Sequence, residues 1–189
     1  MADFVLKAQP ALGGYSEDFE GTRLEEVADL AIVSLATPLG GEAAVAEALT
    51  AAYGCEVPPV GRSALSADGA TRLLAMARDQ LFVVFPHAPP DALSVVAEKT
   101  GGAGYLTDQS DTWFALRLSG PGALGALERI CLLDLHESAF PPGSAARTVM
   151  EHMGCIVLRE MEDTFLLLSA RSSARSFLHA VETSLRYTT

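Results

Sequence analysis

Apolar positions along the chain switch between a period of two and a period of about 3.6, and those switches lay out the elements. Ala31, Val33 and Leu35 alternate with Ile32, Ser34 and Ala36, which predicts a strand. After a break at Thr37-Pro38, Val45, Ala48, Leu49 and Ala52 fall at i, i+3, i+4 and i+7, one face of a helix that stops near Gly54. A Pro58-Pro59 loop leads to two strands, 71–77 and 81–85, joined by a tight turn at Arg78-Asp79. Pro89 and Pro90 then open a helix through Leu93, Val96 and Ala97.

The same order returns 83 positions later. Leu35, Pro38, Ala43, Leu49, Pro58, Pro59 and Phe82 map onto Leu118, Pro121, Ala126, Leu132, Pro141, Pro142 and Phe165. Phe114, Leu116 and Leu118 make the inward side of a strand, with Trp113 on the opposite face. Leu124, Leu127 and Cys131 mark a helix face. Two strands, 156–158 and 165–168, flank an acidic turn at 160–163. Phe177, Leu178, Val181 and Leu185 form a closing helix with Ser172 or Ser173 as its cap. The pattern predicts an internal duplication, each half reading β-α-β-β-α in the split βαβ, ferredoxin-like manner. The fold class is α+β, with helices packed on mainly antiparallel sheets. The organisation is an N-terminal arm over 1–29, a first half over 30–111 and a second half over 112–189. An extra strand is expected at 104–107. An added helix is expected after Gly143, where Ala146, Val149, Met150 and Met153 share a face and Ser144 can cap. The arm, with Gly13-Gly14 and the acidic run Glu17-Asp-Phe-Glu20, reads as an extended or partly mobile segment that orders on a partner.

Composition narrows the function classes. Of 189 residues 49% are apolar, enough for a sizeable core, and the formal charge of −11 argues against a nucleic-acid partner. Residues 112–189 are nearly neutral and all their basic groups other than histidine are arginines, which suit carboxylate pairs and protein interfaces as well as simple base composition. Cys55, Cys131 and Cys155 are widely spaced, with no C-x-x-C, so reduced thiols in a cytoplasmic protein are expected. The first residues have no charged and apolar pattern of a signal peptide, and no apolar run is long enough to span a membrane.

Candidate chemistry is sparse. Cys131 or Ser144 with His136 matches no known nucleophile spacing, and Cys131 ends an apolar helix face, which favours burial. Asp134-x-His136 is a loop anchor before it is a metal site, because His87, His152 and His179 stand at no ligand spacing to it. Gly120-Pro-Gly122 aims free amides ahead of a helix but lacks the rest of a phosphate loop, and reads as a strand-to-helix turn with Pro at the first helical position. What remains is an ordered loop, Cys131-Leu-Leu-Asp-Leu-His136-Glu-Ser-Ala-Phe140-Pro-Pro-Gly-Ser144. Phe140 followed by Pro141 and Pro142 is presented rigidly, at little entropic cost on association. Trp113, Asp134, His136, Phe140, Pro141 and Pro142 are therefore the candidates for contact or loop fixing, with no catalytic, cofactor-binding or metal residue expected.

Several blocks carry a family resemblance: Tyr105-Leu-Thr-Asp-Gln-Ser-Asp111, Leu116-Arg-Leu-Ser-Gly-Pro121, Cys131-Leu-Leu-Asp-Leu-His136, Ala139-Phe-Pro-Pro-Gly-Ser144 with Thr148, and Thr164-Phe-Leu-Leu-Leu168. Over about residues 104–186 the chain resembles the gamma subunit of heterotetrameric sarcosine oxidase. Before that it agrees only in layout, and Gln80-Leu81 stands where the family tends to carry an acidic residue and Trp. The resemblance implies an enzyme that oxidises the N-methyl group of sarcosine to give glycine, a one-carbon unit for tetrahydrofolate, and hydrogen peroxide. It also implies that FAD, FMN, NAD, tetrahydrofolate and zinc sit on the alpha, beta and delta subunits. The gamma chain would be a non-catalytic relative of the folate-binding aminomethyltransferase fold, packed chiefly on alpha. The alternative from another class is a free-standing folate-binding one-carbon transferase.

Overall fold

The structure is a computed structural model and describes residues 9–86 and 91–188. In chain order the strands are β1 (Ser16–Phe19), β2 (Thr22–Glu26), β3 (Leu30–Ala36), β4 (Ser63–Leu65), β5 (Arg72–Ala77), β6 (Gln80–Pro86), β7 (Tyr105–Asp108), β8 (Trp113–Ser119), β9 (Ala145–Met150), β10 (Met153–Met161) and β11 (Thr164–Ala170). The helices are α1 (Glu42–Tyr53), α2 (Ala92–Lys99), α3 (Ala123–Glu128) and α4 (Ala174–Arg186), the last entered through a 3₁₀ turn at Arg171–Ser173. All strand pairings within the two sheets are antiparallel.

One sheet runs β1-β2-β8-β11-β10-β9 and the other β4-β5-β6-β3-β7. Shifting β3 by 83 positions lands on β8, and the same shift takes β4, β5 and β6 into β9, β10 and β11. It also brings β2 over β7, one residue out of step: Leu24 opposite Leu118 and Leu106 opposite Leu35 make the paired counterparts 82 apart. The two sheets therefore share one strand order, with β1 added to the first. The repeats exchange their leading strands: β2 pairs with β8, and β7 pairs with β3. Neither sheet is complete without a strand from the other repeat, so the boundary at 111/112 does not separate independent units.

The sheets face each other. Ile32, Leu74, Phe82, Val84, Ile156, Leu158, Leu166 and Leu168 fill the space between them. α3 and α4 cover the outer face of the larger sheet through Ala126, Leu127, Phe177, Val181 and Leu185. α1 and α2 cover the smaller one through Val45, Leu49, Tyr53, Ala92 and Val96. This α/β/β/α stack explains the unbroken apolar runs at 81–85 and 165–168: a strand buried on both faces has no polar side to alternate with. Gly54 ends α1 in the left-handed conformation at φ 64°, as its position after the last periodic residue implied.

Several expectations need correction. The segment after Gly143 is strand β9, not a helix. Its apolar positions fit both periods, but it pairs with β10 along its whole length through a two-residue turn, Glu151-His152, at φ 45° and 67°. That is the geometry of a type I′ hairpin without the usual Asn-Gly signal. Ser144 caps nothing; its hydroxyl accepts a hydrogen bond from Arg62 Nη1 at 2.6 Å. The arm is not loose over 16–26: it forms the β1–β2 hairpin, and Leu24 opposite Leu118 is fully buried. Glu26 fixes the preceding turn by accepting from the amides of Leu12 (3.0 Å) and Gly14 (2.8 Å). Tyr15 ties it to α4 through Glu182 at 2.6 Å. Pro89 and Pro90 lie outside the described residues. Asp91 precedes α2, and Ser173 precedes α4 without a side-chain capping bond.

The hairpin also explains the Gly120-Pro-Gly122 turn. Pro121 stands before the cap position, not in the helix, and Gly122 donates its amide to Thr22 Oγ1 at 2.8 Å. A Cβ on Gly120, at φ 118°, would lie 2.4 Å from the carbonyl oxygen of Gly21. The glycines admit the hairpin to the sheet edge, and the amide that suggested anion binding already has its acceptor.

Candidate functional site: an ordered loop and an apolar cleft

The loop 131–144 begins at a bridge between Cys131 and Met150 and ends at a bridge between Ser144 and Arg62. Asp134 Oδ1 accepts from the amide of His136 at 3.0 Å, and His136 Nδ1 lies 2.8 Å from Ser138 Oγ. Both side chains are exposed and make short-range hydrogen bonds within local turns. The carbonyl of His136 then takes the amides of Ala139 and Phe140. Pro141 is half-buried and Pro142 exposed, with the Pro142 carbonyl 3.1 Å from Arg62 Nη2. Phe140 points inward. It is only 7% exposed and packs in the core shared by Phe114, Leu116, Phe165 and Phe177. Trp113 packs edge-on against Phe82 at 6.1 Å between the sheets, and its buried Nε1 has no acceptor among the described residues. Phe140 and Trp113 are thus packing residues in this chain, not exposed anchors.

The residue that organises the loop is Arg159, which sequence reading passed over. Its side chain is 2% exposed. Nη1 donates to the carbonyls of Leu135 (3.1 Å) and Phe140 (2.9 Å), while Nε and Nη2 reach the Glu162 carbonyl at 3.0 and 2.6 Å. The guanidinium also lies over the Phe165 ring at 5.3 Å. A buried cation is costly unless its donors are satisfied, and here three carbonyls from two loops satisfy them. A signal was available: Arg159 shares the period-two face of Cys155 and Val157, where every neighbour is apolar.

The thiols are poorly suited to nucleophilic chemistry. Burial raises Cys131 above its ordinary value, and burial, with Cys131 nearby, pushes Cys155 up to about 12. Burial, with Cys55 nearby, likewise pushes Tyr53 up to about 12. A group whose folded pKa exceeds its unfolded value contributes stability below the unfolded pKa and loses it as pH rises through the folded one. Unfolding free energy is therefore expected to fall as pH climbs from about 9 toward 12. Cys155→Ala should lessen that slope, and an unchanged profile would contradict the burial of the thiol. Among the described residues no three or more His, Cys, Asp or Glu side chains are placed to hold a metal ion, and no helix is long and apolar enough to cross a membrane.

One region of exposed apolar surface lies where α3, the β9–β10 turn and α4 meet. One cleft of about 560 Å³ is lined by Ile130, Met153, His179, Ala180, Thr183 and Tyr187. A second, of about 420 Å³, is lined by Cys131, Leu132, Val149 and His152, and the two share Arg129, Ile130 and Glu151. Leu132 is 82% exposed and Tyr187 73%. The loop does present an apolar side chain outward, but it is Leu132. Val149 was expected on the face of a predicted helix and Leu132 within the loop, and neither spacing points outward.

The family model described as sarcosine oxidase, gamma subunit family matches residues 39–184. The chain belongs to this family. Curated members are similar along much of it. Sarcosine oxidase subunit gamma of an Arthrobacter species is 33% identical over 64% of this chain and 60% of its own length. The subunit gamma of Corynebacterium sp. (strain P-1) is 31% identical over 74% of this chain and 67% of its own. These matches span about two thirds or less of the curated relatives. In the heterotetrameric sarcosine oxidase of Corynebacterium sp. U-96, solved with pyrrole 2-carboxylate, one chain superposes with a TM-score of 0.77 at 24% identity, over 91% of this chain and 87% of that one. The glycine cleavage system aminomethyltransferase T of Bartonella henselae superposes with a TM-score of 0.63 at 15% identity, over 85% of this chain but 45% of its own. Both likenesses are of fold. The fold kinship expected from the sequence resemblance is found.

Proposed function

We propose that this chain is a non-catalytic assembly subunit of a heterotetrameric sarcosine oxidase. The complex would convert sarcosine to glycine, pass the one-carbon unit to tetrahydrofolate and release hydrogen peroxide. FAD, FMN, NAD, tetrahydrofolate and zinc would be held by alpha, beta and delta partners, with alpha the main neighbour, in the cytoplasm. Family membership supports the enzyme. The observation that carries the subunit role is the open apolar face at Leu132, Val149 and Tyr187, bordering the joined clefts. An apolar patch rimmed by polar residues is what a protein interface looks like before its partner arrives. Arg159 supports the same reading, because a buried cation holding the loop by its carbonyls gives that surface a fixed shape. Asp134, His136, Pro141 and Pro142 fix the loop, and Phe140 seats it on the core.

The test is Leu132→Asp. The side chain is exposed, so the isolated chain should keep its stability within about 0.5 kcal/mol. Co-purification with the partner chains should fall at least about tenfold, a cost of about 1.4 kcal/mol in association. Undiminished co-purification would remove this face from the interface.

A further inference from the structure

A sheet edge is an unfinished structure, and this fold has four of them. β9 is closed at both ends, by Ala145 donating to the Gly61 carbonyl at 3.0 Å and by the bridge between Met150 and Cys131. β4 spans only three residues, and Ser63 donates to the Gly143 carbonyl at 2.7 Å. β1 carries Glu17 and Asp18, both exposed, which discourage further pairing. β7 is protected less: it carries a single exposed acid, Asp108, at its end, and among the described residues no bridge closes it. Its residues, Tyr105-Leu-Thr-Asp108, include no Pro or Lys, and its register with β3 has no bulge.

The duplication shows what belongs there. In the other sheet the strand equivalent to β7 is β2, and β2 is covered by β1. Leu24 pairs with Leu118 and Leu106 pairs with Leu35, and Leu118 and Leu35 are the same position in the two repeats. Leu24 and Leu106 are therefore counterparts. Leu24, beside β1, is fully buried, whereas Leu106 is only partly so, and Tyr105 next to it is 70% exposed. β1 also brings Phe19 into the helix-side core. Nothing equivalent stands beside β7 among the described residues.

The backbone is oriented to receive such a strand. Gln109 donates to the Ile32 carbonyl at 2.8 Å. By the alternation of an antiparallel ladder, Tyr105 and Thr107 then direct their amides and carbonyls toward β3, and Leu106 and Asp108 direct theirs outward. We propose that the outer edge of β7 accepts an extended strand from a partner chain of the oxidase, antiparallel to β7 and laying an apolar side chain beside Leu106. This rests on the subunit reading above. A second copy of this chain fits poorly: each copy carries a charge of −11, and pairing β7 with itself through Leu106 and Asp108 would set an apolar residue against an acid.

Hydrogen–deuterium exchange on the chain alone and within the co-purified complex tests the proposal. In the isolated chain the amides of Leu106 and Asp108 should exchange freely and those of Tyr105 and Thr107 slowly. In the complex all four should be slow. Asp108→Pro, which removes one outward amide, should lower co-purification about tenfold with little change in melting temperature, while Asp108→Asn keeps it. A complex that forms but leaves the Leu106 and Asp108 amides unprotected overturns the strand and leaves the subunit reading intact. A chain that recruits no partner overturns both. Protection of those amides in the isolated chain at twice its mass would assign the edge to a second copy instead.

Discussion

Arg159→Met should be among the most damaging single substitutions in the chain. Methionine fills similar apolar space but has no donors, so the buried carbonyls of Leu135 and Phe140 lose their donor, and the more exposed Glu162 carbonyl loses its tie to the strand. Breaking a buried charged network of this kind costs about 3–5 kcal/mol, a large share of the roughly 5–15 kcal/mol that holds a domain together. Denaturant unfolding reads the loss directly, and limited proteolysis should show earlier cleavage within 136–142. Arg159→Lys keeps the charge but cannot span three carbonyls with one ammonium, so it should recover only part of the stability. Arg23→Met is the control. Its pair with Glu25 at 2.9 Å is exposed and should contribute less than about 1 kcal/mol. A loss below about 1 kcal/mol for Arg159→Met would mean that the loop is held by its prolines and local turns alone.

Phe140→Ala should cost nearly as much, for a different reason. Truncating a buried phenylalanine removes its transfer free energy and leaves a cavity, together about 3–5 kcal/mol. Phe140 contributes to the same core as Phe114 and Phe177, which meet edge to face at 5.8 Å. The sequence alone suggested an outward Phe140, whose loss would weaken assembly more than it lowered the melting temperature. The structure reverses that order. Stability should fall first, and molecules that still fold should assemble nearly as well as before. Assembly lost with stability intact would restore Phe140 to the interface.

Most of the element order was legible because burial imposes a period. β3, α1, β5, β6, β7, β8, β10, β11 and α4 lie where the apolar spacing put them. The 83-residue repeat was legible because proline and glycine mark the turns between elements, even where core side chains have diverged. Three features were not. β9 was read as a helix because six residues fit both periods, and only its partner β10 decides between them. β1 and β2 were hidden because their apolar content is one phenylalanine and one leucine, and the strand that completes β2 is about ninety residues away. The exchange of leading strands follows from no local pattern at all. At the site, the Asp134-x-His136 spacing was legible, and both side chains hydrogen-bond two residues along the chain. The inward turn of Phe140 follows from Arg159, whose side chain gathers the Phe140 carbonyl from a distant strand. Leu132, Val149 and Tyr187 converge only in three dimensions.

The account stands on this chain being a shaped partner without a reactive centre of its own. Purified alone and supplied with sarcosine and tetrahydrofolate, it should be colourless and produce no hydrogen peroxide. Co-purified with its partner chains, it should appear in a yellow complex that does. Flavin absorption or peroxide release from the lone chain would contradict the account.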